Sequence, residues 1–486
     1  MTTTCANSFE GIVQSQSQLQ YQCVAVSTSV YESVNGGDSE NNLPQGVQFS
    51  PDGLCVLTSA GNKLRLYNTP PHKPVDTETN NNKNKNKNKE CSTNENENKN
   101  NTEKMEHPKY DIETDQRQPI HEWNAILEAK GGDTVRSYDW YPHMASSNPS
   151  TCCFVATSRD QPVHLYDAYT GSIRATYRPY NQLDELESPT IVSFSPDGQH
   201  IFCGGFRTNR CIHVFDTNLP GRESTISLLG KTRRSSDGQK GILSAICHSQ
   251  NSNNLLAVGT FAPGSIYLYD QRTMGTVGTI LNGVCVVGHG KSHSKKKRRF
   301  ATIDDNDNNF DGDLFSSAKI RWFQSRAQGG VTQLKFGDNG TLFSASRRSD
   351  AVLAWDIRMM TSLESSRPIC GIQSYPADHD TNQRLQFDFD THGRLLVGGR
   401  DNCVRIYHIP TGTLVDTISG LHSAVNGVSC HGDFVALSVG SRVFPDDEFY
   451  NTDDNDDMAK PVVRGTLELY HANLKNATVH EDNRNV

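Results

Sequence analysis

Three observations predict an all-β fold built from seven similar sheets. Apolar and polar residues alternate with period two along most of the chain, the spacing of strands that bury one face. Turn signals, Ser-Pro-Asp-Gly at 50–53 and 195–198 and Gly-Asp-Asn-Gly at 337–340, separate paired apolar runs. Glycine takes positive φ there without steric cost, so these turns close tight hairpins. Each unit ends on an aromatic residue followed by a polar one: Tyr67-Asn68, Tyr166-Asp167, Phe215-Asp216, Tyr269-Asp270, Trp355-Asp356, Tyr407-His408 and Tyr470-His471. Four-stranded units with this ending are the signature of a WD-repeat β-propeller. The expected fold class is therefore a seven-bladed WD-repeat β-propeller with long insertions.

The units follow one plan in chain order. GVQFSPDGLCVLTSAGNKLRLYN (46–68) shows it whole: alternation, turn, short apolar strand, polar loop, and alternation again. The stretch around CCFVATSRDQPVHLYD (152–167) is the second unit, and TIVSFSPDGQHIFCGGFRTNRCIHVFD (190–216) the third. Residues 241–270, 330–356 and 384–408 supply three more, and 425–444 with GTLELYH (465–471) the last. Their spacing exceeds the roughly 40–45 residues usual for such repeats, so the extra residues must loop out. The alternation QCVAVSTSVY (22–31) is expected to supply the outer strand of the last unit and lock the ring.

The remaining segments carry other compositions. Residues 72–118, centred on NNNKNKNKNKECSTNENENKN, are too polar to bury the surface that would offset chain entropy. Residues 287–327 join KSHSKKKRRF to an acidic run, and 445–458 are acidic. The expected organisation is a flexible N-terminus over 1–20, one propeller over 21–474 interrupted by these three disordered insertions, and a flexible tail over 475–486. The start, MTTTCANSFE, has no secretory pattern, and no apolar run nears the ~18–20 residues that span a bilayer. The 13 cysteines are scattered without a CxxC pair, which reads as free thiols in a reducing compartment. A soluble intracellular protein is expected, with no membrane partner.

A chain of net charge -8 nevertheless repeats one cationic feature. Arg159, Arg207, Arg210, Arg347, Arg348 and Arg400 fall in loops joining the second and third strands of their units, as does Lys63; Arg442 lies at or near the equivalent place. The Ser-Pro-Asp-Gly turns join the first and second strands, so these loops share the opposite face. Asp160, Asp350 and Asp401 in the same loops read as braces of the tight turns. The arginines are not needed for that. On separate blades they converge on one rim, the electrostatic footprint of a site for a polyanion. Phe206, Phe261 and Tyr180 fall on the same face, where aromatic rings could stack on unpaired bases. Two readings follow: a face for single-stranded nucleic acid, or one for an acidic or phosphorylated peptide.

Several motifs narrow this. GGDTVRSYDWYP (131–142), VHLYDAYTGSIRATYRPYNQLDE (163–185), FSPDGQHIFCGGFRTNR (194–210), TNQRLQFDFD (381–390) and SGLHSAVNGVSCHG followed by VGSRVFP (419–445) resemble the telomerase Cajal body protein family of WD-repeat proteins, also called WD repeat-containing protein 79. The similarity covers roughly residues 45–445 apart from the insertions, and AYTGSIRATYRPYNQLDE goes well beyond what generic propellers share. The resemblance implies an RNA-binding scaffold for the Cajal-body box of small Cajal body RNAs, telomerase RNA or both. It also implies H/ACA ribonucleoprotein proteins and the telomerase holoenzyme as partners, a place in Cajal-body-like nuclear bodies, and a role in telomere maintenance. The insertions at 72–118 and around 295–299 depart from the expected family pattern.

No catalytic signature competes. GxSxG and HExxH are absent, and VCVVGHGKS (284–292) has Cys285 where a phosphate loop needs its first glycine. His164 and His213 sit on strands and read as buried or hydrogen-bonded, not as ligands. No enzyme activity, cofactor, metal or DNA partner is expected. Lys295, Lys296, Lys297, Arg298 and Arg299 read as a nuclear-import patch, a further RNA contact or a solvated loop.

Overall fold

The computed structural model describes residues 19–28, 31, 43–70, 121–207, 211–222, 226–228, 238–239, 241–250, 254–262, 264–273, 275–281, 284–287, 329–337, 340–357, 372–441 and 465–474. Residues 72–118 and 445–458, all but the first residue of 287–327, and the termini 1–18 and 475–486 lie outside them. Seven sheets, each led by a run of consecutive antiparallel strands, form the blades of a propeller. Blade 1 runs through Val47–Phe49, Cys55–Ala60, Lys63–Asn68 and Leu127–Lys130. Blade 2 follows with Val135–Trp140, Cys153–Ser158, Val163–Asp167 and Ile173–Tyr177. Blades 3 to 6 begin at Ile191, Leu243, Val331 and Phe387 and keep the same order. Every closing aromatic of the sequence pattern lies on the third strand of its blade.

Blade 7 closes the ring. Its inner strands Val425–His431, Phe434–Gly440 and Gly465–Leu474 accept Leu19–Ser27 as an antiparallel outer strand, in register from Leu19 opposite Leu474 to Ser27 opposite Leu467. The expected locking strand is thus observed, beginning three residues earlier than the alternation suggests. His121–Glu122 then pairs in parallel with it, and Val284–Val287 adds a fifth strand to blade 4.

Alternation buries both faces of the middle strands, because each blade stacks on two neighbours. The apolar core is accordingly divided into seven clusters, each spanning adjacent blades. Leu57 and Leu66 of blade 1 pack with Trp140, Phe154 and Tyr166 of blade 2. Phe343 and Tyr375 of blade 5 meet Phe387 and Tyr407 of blade 6. The innermost strands have a free edge toward the central channel, and their exposed N–H groups need partners. Side chains from the preceding blade supply them. Phe194 N–H donates to Asp139, Val192 N–H to Ser137, Phe387 N–H to Gln333, Cys430 N–H to Asp388 and Phe49 N–H to Ser429.

Two buried histidines tie stability to pH. His379 is 2% exposed, and its Nε2 lies 2.9 Å from the Gly398 carbonyl, a bond the neutral ring makes as donor. His248 packs edge-on to Phe202 at 4.6 Å. Burial pushes both down to about 4. An unfolded histidine titrates near 6.5, so the unfolded chain binds more protons between the two values. This contribution is complete above about pH 6.5 and is lost as pH falls toward 4, at roughly 2–3 kcal/mol per histidine by pH 4.5. Urea midpoints measured from pH 7.5 to 4.5 should fall, and fall less in His379→Gln, which keeps a donor for Gly398. The same pH slope in that variant would assign the acid loss to carboxylates.

Candidate nucleic-acid interface

The loops between second and third strands, together with the connections into each inner strand, make one face of the ring. Their anchoring repeats between blades. Arg159 N–H donates to the Thr134 carbonyl in blade 2, Phe261 N–H to Ile242 in blade 4 and Arg347 N–H to Gly330 in blade 5. Arg159, Phe261 and Arg347 therefore occupy one structural position. The next residue in blades 2 and 5 turns the chain in the left-handed region: Asp160 has φ 54° and Arg348 φ 51°. Side chains hold these turns in different ways. Ser349 Oγ bonds both the N–H and the carbonyl of Ala351. Asp401 pairs with Arg405.

The predicted arginines fall into two groups. On blades 2 and 3, Arg159 and Arg207 are exposed and flank Arg136, the second residue of the blade 2 inner strand. Burial, with the Arg159 and Arg207 cations acting in the same direction, holds Arg136 below the ordinary arginine pKa, against the opposing pull of Asp160 and Asp133. Arg136 Nη1 donates to Ser188 Oγ at 3.3 Å. Arg159 lies 3.4 Å from Asp160, but both side chains are more than half exposed, so this pair is screened and weak.

On blades 5 and 6, Arg348 is exposed and Arg400 pairs with Asp378 at 3.3 Å. Arg347 lays its guanidinium 4.7 Å from the centre of the Phe261 ring, bridging blades 4 and 5. Arg384, in the connection into blade 6, reaches to the Arg136 carbonyl of blade 2 at 3.1 Å and the Thr332 carbonyl of blade 5 at 3.2 Å. Burial lowers its pKa, and Arg347 acts the same way. Below these groups lies a channel of about 690 Å³ lined by Arg136, Arg347, Arg384 and Arg400, by Asp139, Asp388 and Lys335, and by amide, hydroxyl and aliphatic side chains. Lys63 is taken up by Glu128 at 2.8 Å.

The aromatics fare differently. Phe206 is 2% exposed, in the core shared by blades 2 and 3 and edge-on to His213 at 5.3 Å. It has no free face for a base, and the stacking role expected of it is withdrawn. Phe261 is half-buried with Arg347 over one face. Tyr180, also half-buried, carries Arg222 at 4.4 Å. Arg210, Arg442 and Lys295, Lys296, Lys297, Arg298 and Arg299 lie outside the described residues. Arg136 and Arg384 are additions that loop position alone did not reveal. Both stand in the motifs GGDTVRSYDWYP and TNQRLQFDFD singled out above. Among the described residues no cluster of three or more His, Cys, Asp or Glu is placed to hold a metal ion.

No protein-family model matches the sequence. The chain is 31% identical over 422 residues to Telomerase Cajal body protein 1 of Mesocricetus auratus, covering 84% of this chain and 60% of that protein. The human protein of the same name is 30% identical over 417 residues, covering 83% and 58%. A third relative, the guanine nucleotide-binding protein negative regulator 1 of Schizosaccharomyces pombe, is 26% identical over 281 residues, 56% of each chain. The chain spans about three-fifths of the length of the first two.

Proposed function

The propeller is a relative of the telomerase Cajal body proteins, and from that premise we propose that it is an RNA-binding scaffold. Its ligand on this reading is the Cajal-body box of small Cajal body RNAs, telomerase RNA or both. The protein accompanies these RNAs in H/ACA-type particles in nuclear bodies. The observation that supports this best is the set Arg136, Arg207, Arg348 and Arg384. These four come from different blades or connections of one face and make no ion pair among the described residues. Arginines that serve only the fold are paired here, as Arg394 is with Asp390 at 2.5 Å and Arg174 with Asp167 at 2.7 Å. Planar guanidinium forks suit phosphate oxygens and the edges of unpaired bases.

The test is RNA affinity against salt for a hairpin bearing the box in its loop, compared with a scrambled loop. Arg207→Ala with Arg348→Asn removes two exposed cations, and asparagine tolerates the left-handed turn at 348. The slope of log affinity against log salt should become shallower by about 1.4, at ~0.7 per lost contact to a single strand. Affinity should drop by roughly 10–100-fold. Wild-type slope and affinity in a folded double variant would move the site off this face. Tight binding of an acidic peptide with no RNA binding would favour a protein-interaction propeller instead.

A further inference from the structure

We infer that the mouth of the central channel is a phosphate subsite built on Arg384 and Arg136 and bordered by Arg347. Arg384 makes two side-chain hydrogen bonds, both to backbone carbonyls, which carry no net charge to balance the guanidinium. Its planar group has five N–H donors, so donors are left over. Among the described residues Arg136 bonds only the Ser188 hydroxyl through its side chain, and Asp160 and Asp133 act on it from beyond contact. Neither arginine has a carboxylate within ion-pair distance among the described residues.

The acids that share the channel are engaged elsewhere. Asp139 accepts from Gln48 Nε2 at 3.1 Å, Ser193 Oγ at 3.0 Å and Phe194 N–H at 2.9 Å. Asp388 pairs with Lys335 and accepts from the N–H groups of Phe389 and Cys430. A cation set below the rim without a carboxylate in contact is costly, and a bound anion lowers that cost. Arg136 belongs to blade 2 and Arg384 enters from blade 6, across the channel. Guanidinium groups arriving from different sides fit the tetrahedral oxygens of a phosphate better than the two coplanar oxygens of one carboxylate. That phosphate comes either from bent single-stranded RNA on the rim or from a free small phosphate. The first source rests on the RNA-binding reading above; the second does not.

Inorganic pyrophosphate and the box hairpin distinguish these sources on the full chain. Arg136→Gln removes the cation but can still donate to Ser188, and Arg384→Lys keeps the charge while losing the fork. Arg272→Gln, exposed and paired with Asp270, serves as a neutral control. Pyrophosphate should raise the melting temperature of the wild type and the control saturably, and do so in neither site variant. It should also compete with the hairpin, whose affinity should drop roughly tenfold in Arg136→Gln with a salt slope shallower by ~0.7. Hairpin affinity that depends on Arg136 without a pyrophosphate effect supports the RNA source alone. A pyrophosphate effect that depends on Arg136, in a protein that binds no RNA, supports the free-phosphate source and defeats the RNA reading. Wild-type RNA binding with no pyrophosphate effect and no change in either variant overturns the subsite and leaves the RNA reading standing.

Discussion

Deleting residues 1–31 should leave a chain that no longer closes its ring. Leu19–Ser27 forms the outer strand of blade 7, and Ala25 and Ser27 are buried there. Tyr31, fully buried, then crosses to blade 1, where its hydroxyl meets that of Tyr67 at 2.9 Å. Arg65, itself 2% exposed, lies 5.2 Å from the centre of its ring. The deletion therefore strips the ladder from Gly465–Leu474, opens the core between blades 7 and 1, and unshields a buried cation. Each ladder hydrogen bond contributes about 1 kcal/mol and the tyrosine ring about 2–3 more. That sum rivals the roughly 5–15 kcal/mol by which domains are stable. Soluble yield should collapse, or the melting temperature should drop by more than ~10 °C. A soluble deletion chain with the wild-type melt would show that blade 7 holds without its outer strand. Tyr31→Phe, which removes only the hydroxyl contact, should shift the melt far less.

Much of this architecture was legible because the physics that makes a blade is local. Period-two alternation, a glycine turn and an aromatic near the end of the third strand each act within a few residues, and together they marked all seven blades. The locking strand was legible for the same reason. Pairings without a local signal were not. His121–Glu122 adds two residues in parallel to the N-terminal strand, and Val284–Val287 looked like the approach to a phosphate loop.

The site was legible at the rim and opaque below it. Loop order alone placed Arg159, Arg347, Arg348 and Arg400 on one face. Phe206 misled because adjacency to Arg207 says nothing of where the ring turns. Gly205, at φ 82° and pressed against Thr190, swings the chain so that Phe206 enters the core. Arg136 was missed because alternation distinguishes a buried face of a strand from an open one. It does not separate a face open to bulk water from one open to a narrow channel. Arg384 was missed because its reach across the ring is a tertiary fact.

Asp388→Asn should be among the most destabilising single changes that leave the rim intact. Asp388 Oδ1 takes the Lys335 ammonium from blade 5 at 2.5 Å, and Oδ2 takes the Cys430 N–H of blade 7 at 3.1 Å. One carboxylate thus joins the inner strands of three consecutive blades. Breaking a buried ion pair by removing one partner typically costs about 3–5 kcal/mol. Here the Lys335 side chain keeps 35% of its surface open to the channel, so water screens part of the loss. The expected cost is ~2–3 kcal/mol. Chemical denaturation of the single variants and of Asp388→Asn with Lys335→Met measures it as a cycle. The double variant should recover part of the loss, because it no longer holds an uncompensated ammonium. RNA affinity of the folded Asp388→Asn protein should stay within about twofold of wild type, since neither group stands on the rim. Additive losses in the cycle would show that the carboxylate acts through the Cys430 N–H alone. A large loss of RNA affinity without loss of stability would place Asp388 in the binding site instead of beneath it.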